Sequence, residues 1–315
     1  MKTRDVVVVV QKNDHSLGFF DFSKGEELAR VALPDYPHEF AISPDGRYAY
    51  SCHFGLKLAE DKGPGGNEIS VVDLLTAQFV RSISCADYRR PHGIAFDASG
   101  ALYVLSEGAS RLLVISDPAS GSIARALPTG GSGSHMLAVT RSGSLAFCSN
   151  MFSETVSVLA PHDDSSIARL LQVGKRPEGS AFDAREQQLL VCNRESADIS
   201  VIDVLRQEVT GRIETPPGPV RIVRRSDGLF VVACYHDQSI IVVDADRREI
   251  TQRVSLPAKP VSIGLDSKTG SVLAGLLPSG LGVVNLDEGQ LVRVIATRPG
   301  PDPMVVLPLA LTVSQ

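Results

Sequence analysis

The chain has 315 residues, 43% of them hydrophobic and 21% charged, with a net charge of −5 and no tryptophan. These proportions suit a globular protein with a sizeable core and exclude a disordered chain. The acidic balance, the scattered arginine pairs (Arg89-Arg90, Arg224-Arg225, Arg247-Arg248) and an aromatic content of 5% argue against nucleic-acid partners and against base- or sugar-stacking surfaces.

In chain order, the first apolar run is Val6 to Val10, too short for a signal segment and followed by polar residues, so it reads as a strand in a cytoplasmic protein. No stretch approaches the roughly 20 apolar residues that cross a bilayer, and no membrane association is expected. Leu17–Phe20 and Leu28–Leu33 form two more short strands. From Pro37 onward a unit recurs. The segments starting Pro37-His38-Glu39, Pro91-His92-Gly93, Ser134-His135-Met136, Pro177-Glu178-Gly179, Pro219-Val220-Arg221, Pro260-Val261-Ser262 and Pro303-Met304-Val305 each enter an apolar strand through a turn. Their second residues lie at 38, 92, 135, 178, 220, 261 and 304, a period of about 42 that falls in the propeller range. Inside each unit come a turn such as Pro44-Asp45-Gly46, a second strand, a loop, a third strand, an acidic or amide turn residue (Asp73, Asp203, Asp244, Asn285) and a fourth strand. Four short strands with turn signals about every ten residues make a blade.

The first unit is split. Residues 5 to 33 supply its second, third and fourth strands, and Met304–Leu307 supply its first. The expected architecture is therefore all-β: one domain over residues 1–315, a seven-bladed β-propeller in which one blade is closed by N- and C-terminal strands, leaving no open sheet edge. Residues 309 to 313 are surplus and compete with Val6–Val10 for the second-strand position. The five cysteines (Cys52, Cys85, Cys148, Cys192, Cys234) lack metal-binding spacing and read as buried free thiols.

Phe40-Ala41-Ile42-Ser43-Pro44-Asp45-Gly46-Arg47-Tyr48-Ala49-Tyr50 and Val191-Cys192-Asn193 resemble the strand, Ser-Pro-Asp-Gly turn and Val-Thr-Asn ending of YVTN-repeat propellers. The resemblance spans essentially the whole chain. It implies the fold strongly and the function weakly, since similar propellers include sugar-acid lactonases, a muconate-lactonising cycloisomerase, an antibiotic lyase, heme-binding domains and non-catalytic surface proteins. None of those catalytic patterns maps onto this chain residue by residue.

In a propeller the connection into each first strand and the loop after each second strand open on one mouth of the central channel. The entry column reads His38, His92, His135, Glu178, Val220, Val261, Met304, and the second-strand column reads Gln11, His53, Ser106, Asn150, Asn193, Cys234, Gly275. Both are polar over four consecutive blades and apolar or small beyond, the composition of a small-molecule pocket. His38, His92, His135 and Glu178 can ligate a divalent metal (Zn, Fe, Mn or Cu) with a position left for water or substrate. Without metal the same groups can work as acid and base, or hydrogen-bond a neighbouring blade as structure. His53, Arg194 and Glu107 are candidate catalytic groups. Asn150, Asn193, Arg221 and Glu39 are candidate substrate-binding groups, although for the two asparagines the better reading is that they end their strands. The insertion from Phe54 to Glu68 suits a lid over the channel or an oligomer contact.

Two functions follow. The first is an enzyme or binding protein for a small, oxygen-rich metabolite, with lactonase-, lyase- or cycloisomerase-like chemistry implied by the resemblance. The second is a non-catalytic protein-interaction scaffold whose channel histidines are structural.

Overall fold

The structure, a computed structural model, describes residues 3–163 and 165–312. They form seven four-stranded antiparallel sheets, as the repeat predicts. The innermost strands are Pro37–Ile42, Pro91–Phe96, Ser134–Val139, Pro177–Phe182, Pro219–Arg224, Pro260–Leu265 and Pro301–Leu309. Each touches the next around the ring, and the last touches the first. Blades 1 to 6 follow the chain from Pro37, and blade 7 combines the C-terminal strand with Arg4–Gln11, Ser16–Asp21 and Glu27–Ala32.

Middle strands are covered on both faces by neighbouring blades, so they read as continuous apolar runs. Val6 to Val10 are fully buried. The core accordingly lies between blades: Cys52, Ile69 and Val71 of blade 1 pack with Leu102, Val104 and Leu113 of blade 2. Outer strands have one free face, and in Gln290–Ile295 exposure alternates residue by residue, the period of a half-covered strand. The turns between third and fourth strands are held by the predicted side chains. Asp73, Asp244 and Asn285 each accept backbone N–H bonds from the residues two and three positions on, the Asx geometry those side chains favour.

Ring closure differs from the sequence reading in three respects. Leu309 does not compete with Val6–Val10 but extends the innermost strand opposite Arg4. Leu311 then packs against the core shared by blades 7 and 1, and the Thr312 amide donates to the Leu75 carbonyl at 2.7 Å; Val313 lies outside the described residues. The last-blade register is also two residues off. Gln11 faces Pro301 as His53 faces Pro37 and Asn193 faces Pro177, so the entry residue of blade 7 is Asp302 rather than Met304. Likewise Leu276 faces Pro260 and takes the place assigned to Gly275.

Every blade carries a register irregularity at this entry, between Pro37 and Phe40, Pro91 and Ile94, Ser134 and Met136, Pro177 and Ser180, Pro219 and Arg221, Pro260 and Ser262, and Val9 and Gln11 opposite Pro301. A bulge kinks a strand and re-aims side chains, and here the bulged residues are the entry column itself. The cysteines are free and buried. Burial pushes the Cys85 and Cys234 thiols up to about 12, so they pack as apolar groups.

If packing between blades carries the stability, Phe19→Ala, at a fully buried site, lowers unfolding free energy by about 3–5 kcal/mol. Leu205→Ala, at a position 90% exposed, changes it by less than about 0.5 kcal/mol. Urea midpoints of the two variants check this.

Candidate functional site

A cavity of about 290 Å³ opens at one mouth of the channel. Its lining comes from the two sets of loops that the repeat places on that face, joined by Lys57, Leu58, Ala59 and Glu60 of the insertion. The insertion is tied down at both ends of its reach. Arg90 donates to the carbonyls of Asp61 and Gly63 at 3.0 and 2.8 Å, and Glu60 pairs with Arg176 across the cavity. In this position residues 57 to 60 border the mouth.

Four entry residues converge. His38, His92, His135 and Glu178 are each less than 9% exposed, and the three imidazoles lie in a row: His92 and His135 stack with 3.7 Å between ring centroids, and His38 is tilted by 44° against His92 at 4.1 Å. The stacked His92 and His135 rings cannot aim their lone pairs at one point, and the row divides chemically. His92 Nδ1 donates to the His135 carbonyl oxygen at 2.9 Å, which fixes its tautomer and leaves Nε2 as a lone pair. The contact exists because residue 93 is glycine: a Cβ there would lie 2.8 Å from the same carbonyl oxygen. Burial, reinforced by neighbouring positive groups, holds the His38 and His92 pKa values well below the ordinary histidine range, so both rings are neutral.

His135 is the opposite case. Its Nδ1 donates to Glu107 Oε2 at 2.8 Å, and its Nε2 lies 3.5 Å from Glu178 Oε2. Burial opposes charge on this ring, but the Glu107 hydrogen bond and the two carboxylates outweigh it and raise the pKa. The arrangement favours the protonated form of His135, held between two carboxylates, beside two imidazoles whose neutral form is favoured.

The opposite wall is organised by Arg221. Its guanidinium reaches across the channel to Glu39 of blade 1 and to Asp302 of blade 7, the latter at 3.1 Å. Burial and nearby Glu39 raise the Asp302 pKa against the pull of Arg221. Val220, Val261 and Leu277 supply the apolar side of the lining, so the polar-against-apolar division holds, interrupted by the Arg221–Asp302 pair.

Of the candidate residues, Arg194 lines the cavity, 3.5 Å from Glu178 and over the Tyr235 ring at 4.6 Å. Arg221 also lines it, whereas Glu39 and Glu107 sit behind Arg221 and His135 as their partners. Three candidates are not brought to the cavity. His53 is half-buried under the insertion, with Gly66 packed on its ring. Asn150 bonds Ser134, Thr155 and Ser157, and Asn193 bonds Asp198 and Ser200. Both amides face into their blades and end their strands.

The physical reason is strand alternation. The second-strand column points inward, and the next residue faces the mouth: Lys12, Met151, Arg194, Tyr235 and Leu277 all line the cavity. Their backbones repeat one contact, with the amides of Lys12, Met151, Arg194, Tyr235 and Leu277 donating to Gly300, Gly133, Arg176, Gly218 and Lys259. Reading the repeat one residue later would have found Lys12, whose amine burial shifts to a lower pKa. The correct blade-7 register would have found Asp302.

The fold has structural relatives of low sequence identity. A functionally unknown protein from Desulfotomaculum acetoxidans superposes with a TM-score of 0.78 at 13% identity, over 96% of this chain and 98% of its own. Hydrazine synthase from Kuenenia stuttgartiensis gives 0.71 at 17% identity over 94% and 92%. Dihydro-heme d1 dehydrogenase NirN, solved in complex with DHE, gives 0.67 at 15% identity, over 94% of this chain and 64% of its own. No family model matches the chain, and no curated protein does. No helix among the described residues is long and apolar enough to cross a membrane.

The Glu107–His135 bond generates a pH-dependent difference. Glu107→Gln costs about 1.5–3 kcal/mol where His135 is charged. Because the folded-state pKa of His135 is raised, this contribution is fully present below the unfolded pKa and disappears as pH rises through the folded one. Denaturant unfolding of both proteins across that pH range measures it.

Proposed function

We propose that the chain acts on a compact, oxygen-rich, anionic metabolite held in the channel-mouth cavity beneath the insertion. The observation that carries this reading is the lining itself: five basic side chains (Lys12, Lys57, Arg176, Arg194, Arg221) against three acidic ones (Glu60, Glu178, Asp302), with an apolar wall opposite. At about 290 Å³ the cavity sits at the small end of the ligand-pocket range, which favours a metabolite over a polymer. That two of the structural relatives are enzymes by name supports a catalytic role.

The chemistry that fits is proton transfer. Glu107 fixes the His135 ring through Nδ1, and the other nitrogen faces Glu178 at the cavity, the arrangement of an oriented general acid–base group. Lys12 and Arg194 are placed to hold a carboxylate while His135 delivers or removes a proton at a neighbouring atom. Lyase or cycloisomerase reactions need that step directly; lactone opening needs a water as well. Lactonase, lyase and cycloisomerase activities are those that the resemblance to YVTN-type propellers implies.

A panel of lactones, hydroxy acids and unsaturated dicarboxylates, followed by NMR for turnover, tests the reading. Turnover is expected with at least one class. His135→Gln lowers kcat by about 10²–10⁴-fold, and Arg194→Ala raises KM with a smaller effect on kcat. No turnover and no thermal stabilisation by any member of the panel, with wild type and variants indistinguishable, leaves the channel histidines structural and the propeller a scaffold.

A further inference from the structure

We propose that His38, His92 and Glu39 form a binding site for a divalent first-row transition cation at the floor of the cavity, with a coordination position open to the ligand. This deepens the reading above and changes the expected ligand set: Glu39 enters, while His135 and Glu178 are left to each other. Three observations carry it.

The first is a pair of orphaned ring nitrogens. Among the described residues, His38 Nδ1 and His92 Nε2 are buried without a hydrogen-bond partner, although an unsatisfied buried polar atom is costly. The residues are 6% and 0% exposed, so bulk water does not relieve them. The second is convergence. One donor atom from each of His38, Glu39 and His92 lies within 4.8 Å of the others, and His38 Nδ1 is 3.5 Å from Glu39 Oε1. Ligands about 2.1 Å from a tetrahedral ion stand about 3.4 Å apart, so closure needs shifts of about 1 Å or less. Arg221 pairs with that same Oε1, so to hold Arg221 and an ion together Glu39 shares this oxygen or turns its second one to the ion.

The third is the shell around the donors. His92 gives its other ring N–H to a backbone carbonyl, the outer-shell bond that fixes tautomer and orientation in metal-binding histidines. Phe54, the first residue of the insertion, lies edge-on to His38 and His92 at 5.9 and 5.3 Å between ring centroids. It restricts both rings. His38 borders the cavity, so the position not filled by protein faces the metabolite. Two imidazoles and a carboxylate with an open position are the donor set of catalytic zinc and non-heme iron sites, and a cation there binds a water or a substrate oxygen next to His135.

The test uses the full chain after chelator treatment, titrated with Zn²⁺ by calorimetry and with Co²⁺ by visible absorption, with no metabolite present. One Zn²⁺ per chain and a Co²⁺ ligand-field spectrum of low coordination number are expected. Outer-shell partners alone are worth about 10–100-fold in affinity, so His38→Ala and Glu39→Gln each weaken binding more than about 100-fold, while His135→Gln and Glu178→Gln leave it near wild type. His38, at the cavity edge, carries the test if His92→Ala does not fold, and thermal unfolding of each apo variant separates lost binding from lost structure. Absence of saturable binding to the wild type overturns the proposal, as does binding that survives His38→Ala or is abolished equally by His135→Gln. Because no metabolite is used, such a result leaves the acid–base reading intact, and a failed turnover screen leaves this one intact.

Discussion

Ring closure is the constraint on which the rest of this structure depends. Seven sheets meet at a channel only if the last innermost strand reaches the first, and the pairing of Pro301–Leu309 with Arg4–Gln11 meets that requirement with the two ends of the chain. Closure completes the seventh blade, encloses the inner strand edges around the channel and forces the seven entry bulges into one circle. A bulge that would re-aim one side chain in an open sheet thereby aims seven at a common volume. The site is a consequence of the ring, and its polarity is set by which residues occupy those seven positions and the turns beside them.

The circle also dictates the electrostatics. Arg221 is buried, yet it is compensated by carboxylates from two other blades. Removing it would strand Glu39 and Asp302 in a low-dielectric setting, which is where breaking a buried pair becomes expensive. On the other side, the three imidazoles are too close for all to carry charge. Glu107 and Glu178 select His135 for the proton, and burial keeps His38 and His92 neutral. One row of rings thus holds a proton donor and two neutral imidazoles a few ångströms apart, under an insertion that pins itself to the opposite rim through Glu60 and Arg176.

The fold was legible because the repeat states it many times over: the Pro-His-Gly and Pro-Glu-Gly entries, the Ser-Pro-Asp-Gly turn and the split first unit each identify a blade independently. The site was legible in part. His38, His92, His135 and Glu178 stand out because a charged or imidazole residue at a strand entry repeats at a fixed spacing. Asn150 and Asn193 were drawn in by the same spacing, although alternation along the strand turns them inward and presents Met151 and Arg194 instead. Asp302 was hidden by a second proline, Pro303, that suggested the wrong register. The pairing of Arg221 with Glu39 joins residues 182 positions apart, and no local pattern predicts it. The division of the histidines into charged and neutral was equally out of reach, since it depends on which carboxylate lies against which ring nitrogen.

That division is the centre of the account, and imidazole ¹⁵N NMR of the wild-type protein across its folded pH range tests it most directly. The account predicts His92 as the neutral Nδ1–H tautomer and His38 neutral throughout, with His135 protonated on both nitrogens until the pH rises above the ordinary histidine value. Three channel histidines titrating together near that value, or His92 carrying its proton on Nε2, would contradict it.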